Sequence, residues 1–171
     1  MDPSQLLPRL WLMTDERQGD GVLDAVARLP QGAGIVFRHY SLKEVARRDL
    51  FDRVRAAHRR LLLLLAAPAD VARAWGADGS HGPGPGEGLR TASAHDLAEI
   101  RAAEAAGAAA IFLGPVFTTR SHRGREPLGP DRFAEMVRQA RLPIIALGGM
   151  NAERAKMLSG AYGWAGIDAW S

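Results

Sequence analysis

Eight short apolar segments alternate with helix-forming stretches along the 171 residues, and this alternation predicts an α/β fold of the TIM (β/α)8 barrel type. The segments at Gly34–Phe37, Leu61–Leu65, Ala109–Leu113 and Pro143–Leu147 are apolar throughout rather than at alternate positions. Strands of that kind belong to parallel sheets covered on both faces. Such barrels usually need about 250 residues. The shorter length here implies a compact barrel, with a shortened fourth unit and no helix after the eighth strand. One domain over residues 1–171 is expected, with a doubly wound open sheet as the other architecture the pattern allows.

Taken in order, Leu10–Thr14 is an apolar run ending at Asp15, and a helical piece follows over Val22–Leu29. Gly34–Phe37 reads as a strand that exits through Arg38-His39-Tyr40. Ser41 with Glu44 three residues on has the form of a capping box for a helix over Leu42–Arg60. Leu61–Leu65 is the third strand, Pro68–Trp75 a short helix and Ala77–His81 a brief fourth strand. The stretch Gly82-Pro-Gly-Pro-Gly-Glu-Gly88 cannot hold a helix and stands as loop where a fourth helix would be. Leu89–Ala92 is the fifth strand, followed by a helix over Ala94–Ala106 that Gly107 closes. After the Ala109–Leu113 strand and its polar exit come a helix at Asp131–Ala140 and the Pro143–Leu147 strand. Asn151 caps a helix over Ala152–Leu158, and Gly163–Trp170 supplies the last strand.

Composition narrows the chemistry. With no cysteine, disulfides, thiolate catalysis and cysteine-bound metals are excluded. The formal charge of +3 comes without a dense basic run carrying interleaved aromatics, so nucleic acid is not an expected partner while anionic small molecules are. The N-terminus lacks a signal-peptide pattern and the aliphatic run Leu61–Leu65 is too short to span a bilayer, so a cytoplasmic location with no membrane partner is expected.

In a barrel of this kind the loops after the strands carry the site. Here they bring Thr14-Asp15, Arg38-His39-Tyr40, Ala66-Ala67, His81, Ser93, Thr119–His122, Gly148-Gly149 and Ile167-Asp168 to one end. Gly148-Gly149 suits a phosphate, because glycine lets backbone approach an anion closely.

The motifs Leu12–Asp15, Ala77–His81, Ser93–His95, Gly114-Pro-Val-Phe-Thr-Thr119 and Ala146-Leu-Gly-Gly-Met150 together resemble the thiamine phosphate synthase/TenI family, in order and spacing, over nearly the whole chain. The resemblance implies a TIM barrel that joins a hydroxymethylpyrimidine pyrophosphate to a thiazole phosphate and releases pyrophosphate, with Mg²⁺ present. It assigns Arg38 and the lysine-replacing His122 to the leaving pyrophosphate. Ser93, Thr119, Gly148, Gly149, Gly166 and Ile167 then line the site and hold the phosphorylated substrate.

The sequence departs from the family at several points. Val36 and Tyr40 stand where the family has Gln and Lys, and Ala66-Ala67 and Gly86 stand at positions of its Mg²⁺-binding carboxylates. No metal ligand is therefore assigned, although Asp15, Asp20 and Glu87 are near enough in the chain to be considered. Pro115 follows the synthases, where the tautomerase branch has histidine.

Two alternatives stay open: a binding or regulatory protein that keeps the phosphate cradle, and an isomerase using His122 or His81. Ser93 could equally cap the following helix with Asp96. The basic loop of Arg120, His122, Arg123 and Arg125 could equally be a solvated surface. His81 and His95 read as structural, and the four tryptophans as core or covering residues. With no eighth helix, apolar surface near Trp170 would favour a homo-oligomer.

Overall fold

The computed structural model describes residues 7–58, 61–120, 124 and 126–170. Eight parallel strands close into a barrel in sequence order: β1 (Leu10–Met13), β2 (Gly34–Phe37), β3 (Leu62–Leu65), β4 (Gly79–His81), β5 (Leu89–Ala94), β6 (Ala110–Leu113), β7 (Ile144–Leu147) and β8 (Gly163–Gly166). The ring is shut by β8 pairing with β1, Ala165 opposite Trp11. The closed barrel settles the choice against an open sheet.

Alternation along each strand divides the core. Trp11, Met13, Val36, Leu64, Ala66, Ala110, Phe112, Ile145 and Ala165 pack with one another as one cluster. Their neighbours along the strands, such as Leu12, Ile35, Leu63, Ile111 and Ala146, pack instead with residues of the surrounding helices. This is why the strands read as unbroken apolar runs: both faces are buried. Gly34 belongs to this packing, because a side chain there would collide with the Trp11 ring.

The helices are α1 (Val22–Ala27), α2 (Glu44–Ala57), α3 (Ala69–Ala74), α4 (Leu97–Ala105), α5 (Gly129–Gln139) and α6 (Ala152–Ala155). Between β4 and β5 the Pro/Gly stretch is loop, as its composition predicts. Buried Arg90 fastens it, donating to Gly84 O at 2.6 Å and to Ala106 O at the end of α4.

Four local expectations are corrected. Ser41 does not cap α2; Lys43 stands at the cap without a side-chain bond, and the Ser41 N–H is taken by Glu16 Oε1 at 3.0 Å. Strand β5 runs on to Ala94 because Ser93 and Ala94 pair with Phe112 and Leu113 of β6. Ser93 is therefore a strand residue, and Asp96 caps α4 by accepting from Glu99 N. Helix α6 stops at Ala155, short of Leu158.

The fourth correction concerns β8, which ends at Gly166, with a 3-10 turn over Asp168–Trp170 in place of further strand. That turn folds Trp170 back to stack on Trp164 at 5.4 Å, covering surface that an eighth helix would occupy. No described helix is long and apolar enough to cross a membrane.

Candidate active site

The C-terminal strand ends form two adjoining chambers. A cleft of about 450 Å³ runs between the loops after β6, β7 and β8, and a smaller chamber of about 240 Å³ lies over β4, β5 and β6. Arg38, Leu147 and Gly148 line both.

Arg38 leaves β2 and is held in place. Its Nε donates to Thr14 O at 2.7 Å and its Nη2 to Asp15 Oδ2 at 3.0 Å, while its own N–H bonds Thr14 Oγ1 at 2.9 Å. Thr14 Oγ1 also meets His39 Nδ1 at 3.0 Å, and His39 turns the chain with a φ of 48°. Asp15 accepts from Arg17 as well, at 2.8 Å. Burial of Asp15 opposes its charge, but the hydrogen bonds from Arg17 and the charges of Arg38 and Arg17 outweigh that and lower its pKa.

On the other side of the cleft, Gly148 and Gly149 have φ of 98° and 62°, which side-chain-bearing residues rarely adopt. A Cβ on Gly148 would lie 2.5 Å from Pro115 Cα, and one on Gly149 would lie 2.6 Å from Thr118 O. The reason is close backbone packing: the loop after β6 is fastened to β7 by Val116 N–H to Leu147 O (2.9 Å) and Phe117 N–H to Gly148 O (3.1 Å). Thr119, Gly166 and Ile167 complete the same cleft, so that with Arg38, Gly148 and Gly149 it holds six of the expected site residues in all.

Ser93 is separate, on the wall of the smaller chamber with Tyr40, His95, Phe112 and Pro115. Its hydroxyl meets His81 Nε2 at 3.0 Å, and His81 Nδ1 meets Thr91 Oγ1 at 2.8 Å. Burial lowers the His81 pKa to about 4, with the nearby Arg38 charge adding to it. A ring kept neutral and bonded at both nitrogens orients Ser93. His122 lies outside the described residues, as do Arg123 and Arg125.

Two arginines at this end escape the sequence reading. Arg154 of α6 lines the cleft, donates to Gly149 O at 2.5 Å and lies 4.9 Å over the Phe117 ring. Arg47 of α2 bonds Arg38 O at 2.7 Å and Ala66 O at 2.9 Å, tying the ends of β2 and β3. Neither contact has a local signature; each joins a helix arginine to a backbone carbonyl fixed by tertiary packing.

The donor set does not suit a divalent cation, which wants several oxygen ligands. Strand β3 ends in Ala66-Ala67, Asp15 is committed to two arginines, and exposed Glu87 pairs with Arg73. Among the described residues there is no group of three His, Asp or Glu placed to hold a metal. Asp168 is the only carboxylate among the described residues lining the larger cleft.

A family model described as thiamine monophosphate synthase matches residues 87–170. An Aquifex aeolicus protein provisionally named thiamine-phosphate synthase 2 is 35% identical, the match covering 94% of this chain and 96% of that one. A provisionally named thiamine-phosphate synthase of Geobacter sulfurreducens is 32% identical over 94% of this chain and 85% of its own. Among solved structures, a thiamine phosphate pyrophosphorylase from Pyrococcus furiosus superimposes with a TM-score of 0.78 at 25% identity, covering 97% of this chain and 88% of that one.

Proposed function

The chain belongs to the thiamine phosphate synthase/TenI family, and on that premise we propose that it joins a hydroxymethylpyrimidine pyrophosphate to a thiazole phosphate. The observation that carries this reading is the pair of chambers meeting at Arg38 and Gly148. The smaller one, walled by Phe112, Tyr40 and Pro115 with Ser93 as a polar contact, suits a flat pyrimidine ring. The larger one suits the anionic groups.

In this reading the pyrimidine–CH₂–O bond breaks as pyrophosphate leaves, and the thiazole nitrogen captures the carbon. Arg38, fixed by Thr14 and Asp15, stabilises charge on the departing pyrophosphate, with His122 as its expected helper. The Gly148-Gly149 backbone, Thr119, Gly166 and Ile167 hold the thiazole phosphate. Ser93, oriented by His81, contacts the pyrimidine. Mg²⁺ would serve to neutralise the leaving pyrophosphate in this chemistry, but the described residues do not form a site for it, and no step is assigned to it. The proposed setting is cytoplasmic.

A steady-state assay with both substrates, with and without Mg²⁺, tests the reading by formation of thiamine phosphate and pyrophosphate. No turnover at high enzyme concentration would overturn it. The poor metal donor set favours one second reading, a binding protein for a phosphorylated thiazole. That reading predicts thermal stabilisation by the thiazole phosphate without turnover, lost in Gly149→Asp.

A further inference from the structure

Where a divalent cation would be expected, the structure supplies organic cations. The end of β3 carries the methyl groups of Ala66 and Ala67 and so offers no carboxylate, and the Ala66 carbonyl is taken by the Arg47 guanidinium at 2.9 Å. Among the described residues, the cleft itself is lined by Arg38, Arg120 and Arg154, against the single carboxylate of Asp168.

Two of these arginines are anchored. Arg38 spends Nε and Nη2 on Thr14 and Asp15, and its Nη1 has no partner among the described residues. Arg154 spends Nη1 on Gly149 O and its face on Phe117, which leaves Nε and Nη2 without partners among the described residues. A guanidinium immobilised through part of its fork has already lost the side-chain freedom that anion binding would otherwise cost, and it presents its remaining donors in fixed geometry.

We propose that this cleft holds the phosphate and pyrophosphate groups of its substrates on the anchored guanidinium groups of Arg38 and Arg154, with no divalent cation required for binding. The proposal takes the identity of the anions from the synthase reading but concerns only how they are bound. Arg154 serves here as a direct phosphate ligand at the Gly148-Gly149 cradle.

Calorimetric titration with inorganic pyrophosphate and with inorganic phosphate, in EDTA and then in excess Mg²⁺, tests it. Both anions are expected to bind in EDTA, and Mg²⁺ should not strengthen either. Arg154→Gln should weaken phosphate binding roughly tenfold or more, and Arg154→Lys, which keeps charge but loses the fork, should recover only part of that. Asp168→Asn should tighten both anions in EDTA by removing like-charge repulsion.

Binding that appears only with Mg²⁺, or that Asp168→Asn abolishes, would overturn the proposal in favour of a metal carried by Asp168 and the substrate. So would phosphate binding unchanged in an Arg154→Gln protein whose thermal unfolding matches the parent's. If both anions bind in EDTA but no thiamine phosphate forms, the synthase reading fails alone. If turnover occurs only with Mg²⁺-dependent anion binding, this proposal fails alone.

Discussion

Asp15 and Arg38 meet at 3.0 Å across the ends of β1 and β2, both side chains mostly buried, at 14% and 16% exposure. The pair orients the arginine on which both chambers converge. Asp15→Asn keeps the shape but removes the charge that fixes Nη2. A charge-assisted hydrogen bond that is mostly buried in this way is worth about 1.5–3 kcal/mol. We expect Asp15→Asn to lose roughly that much in urea unfolding at pH 7, and to lower kcat/KM about tenfold or more as Arg38 loosens.

The sign of the pH effect follows from the lowered pKa of Asp15. Its stabilisation is complete above the model-peptide value of 3.8 and is lost as pH falls through the lower folded value. Unfolding free energies measured from pH 5 down to pH 2 should therefore fall less steeply with pH in Asp15→Asn than in the parent. Equal slopes would show that the pair does not carry the charge linkage.

His81 gives a second, separate window. Its folded pKa of about 4 lies below the ordinary 6.5, so between those values the unfolded chain binds a proton that the folded one refuses. Stability should fall as pH drops from 6.5 to 4, by roughly 3 kcal/mol at most, and then level off for this group. Denaturant midpoints at pH 7.5, 5.5 and 4.5 measure it. His81→Gln, which cannot titrate, should flatten the dependence even if it lowers the stability at pH 7.5. The same variant should raise KM for the pyrimidine substrate, since Ser93 loses its orienting partner.

The barrel was legible because its strands are buried on both faces: Ile35-Val36-Phe37 or Ile144-Ile145-Ala146 leave no polar position to suggest a one-sided sheet. The Pro/Gly alternation at 82–88 was equally plain. Ser93 was ambiguous because capping and strand pairing compete for the same residue, and only contact with Phe112 on a neighbouring strand decides between them. Trp170 misled for a similar reason: an apolar, aromatic ending reads as strand, whereas stacking on Trp164 folds it into a turn. The glycines and Arg38 were visible as motif residues. Arg47 and Arg154 were not, since the carbonyls they bind acquire their positions only when the barrel closes.

Gly148 and Gly149 should fail differently when changed to alanine. At Gly148 the new methyl would press on Pro115 backbone, which cannot move without shifting the loop after β6. At Gly149 one of the close neighbours is the Arg154 Nη1 atom, the end of a flexible side chain, although Thr118 O is also near. Both positions carry the cost of a positive φ, about 1–2 kcal/mol. We expect Gly148→Ala to be the more destabilising in thermal unfolding. Gly149→Ala should stay closer to the parent in stability while losing thiazole-phosphate binding, because Arg154 is displaced. The reverse order would mean that the loop after β6 yields more easily than the arginine.

Trp170 closes the barrel where an eighth helix would stand. Besides stacking on Trp164, its indole Nε1 donates to Trp11 O at 3.3 Å, and its carbonyl accepts from Arg28 Nη1 at 3.3 Å. Trp170→Ala removes the stack and uncovers part of the apolar cluster that the ring packs against, to which Leu12, Ala25 and Leu29 belong. The residue is only half-buried, so the loss should fall below that of a fully buried tryptophan, at about 2 kcal/mol. The uncovered surface gives the variant a reason to associate. Sedimentation velocity over a tenfold concentration range should show Trp170→Ala shifting to larger species relative to the parent. An unchanged distribution with the expected loss of stability would show that the turn covers the barrel without governing association.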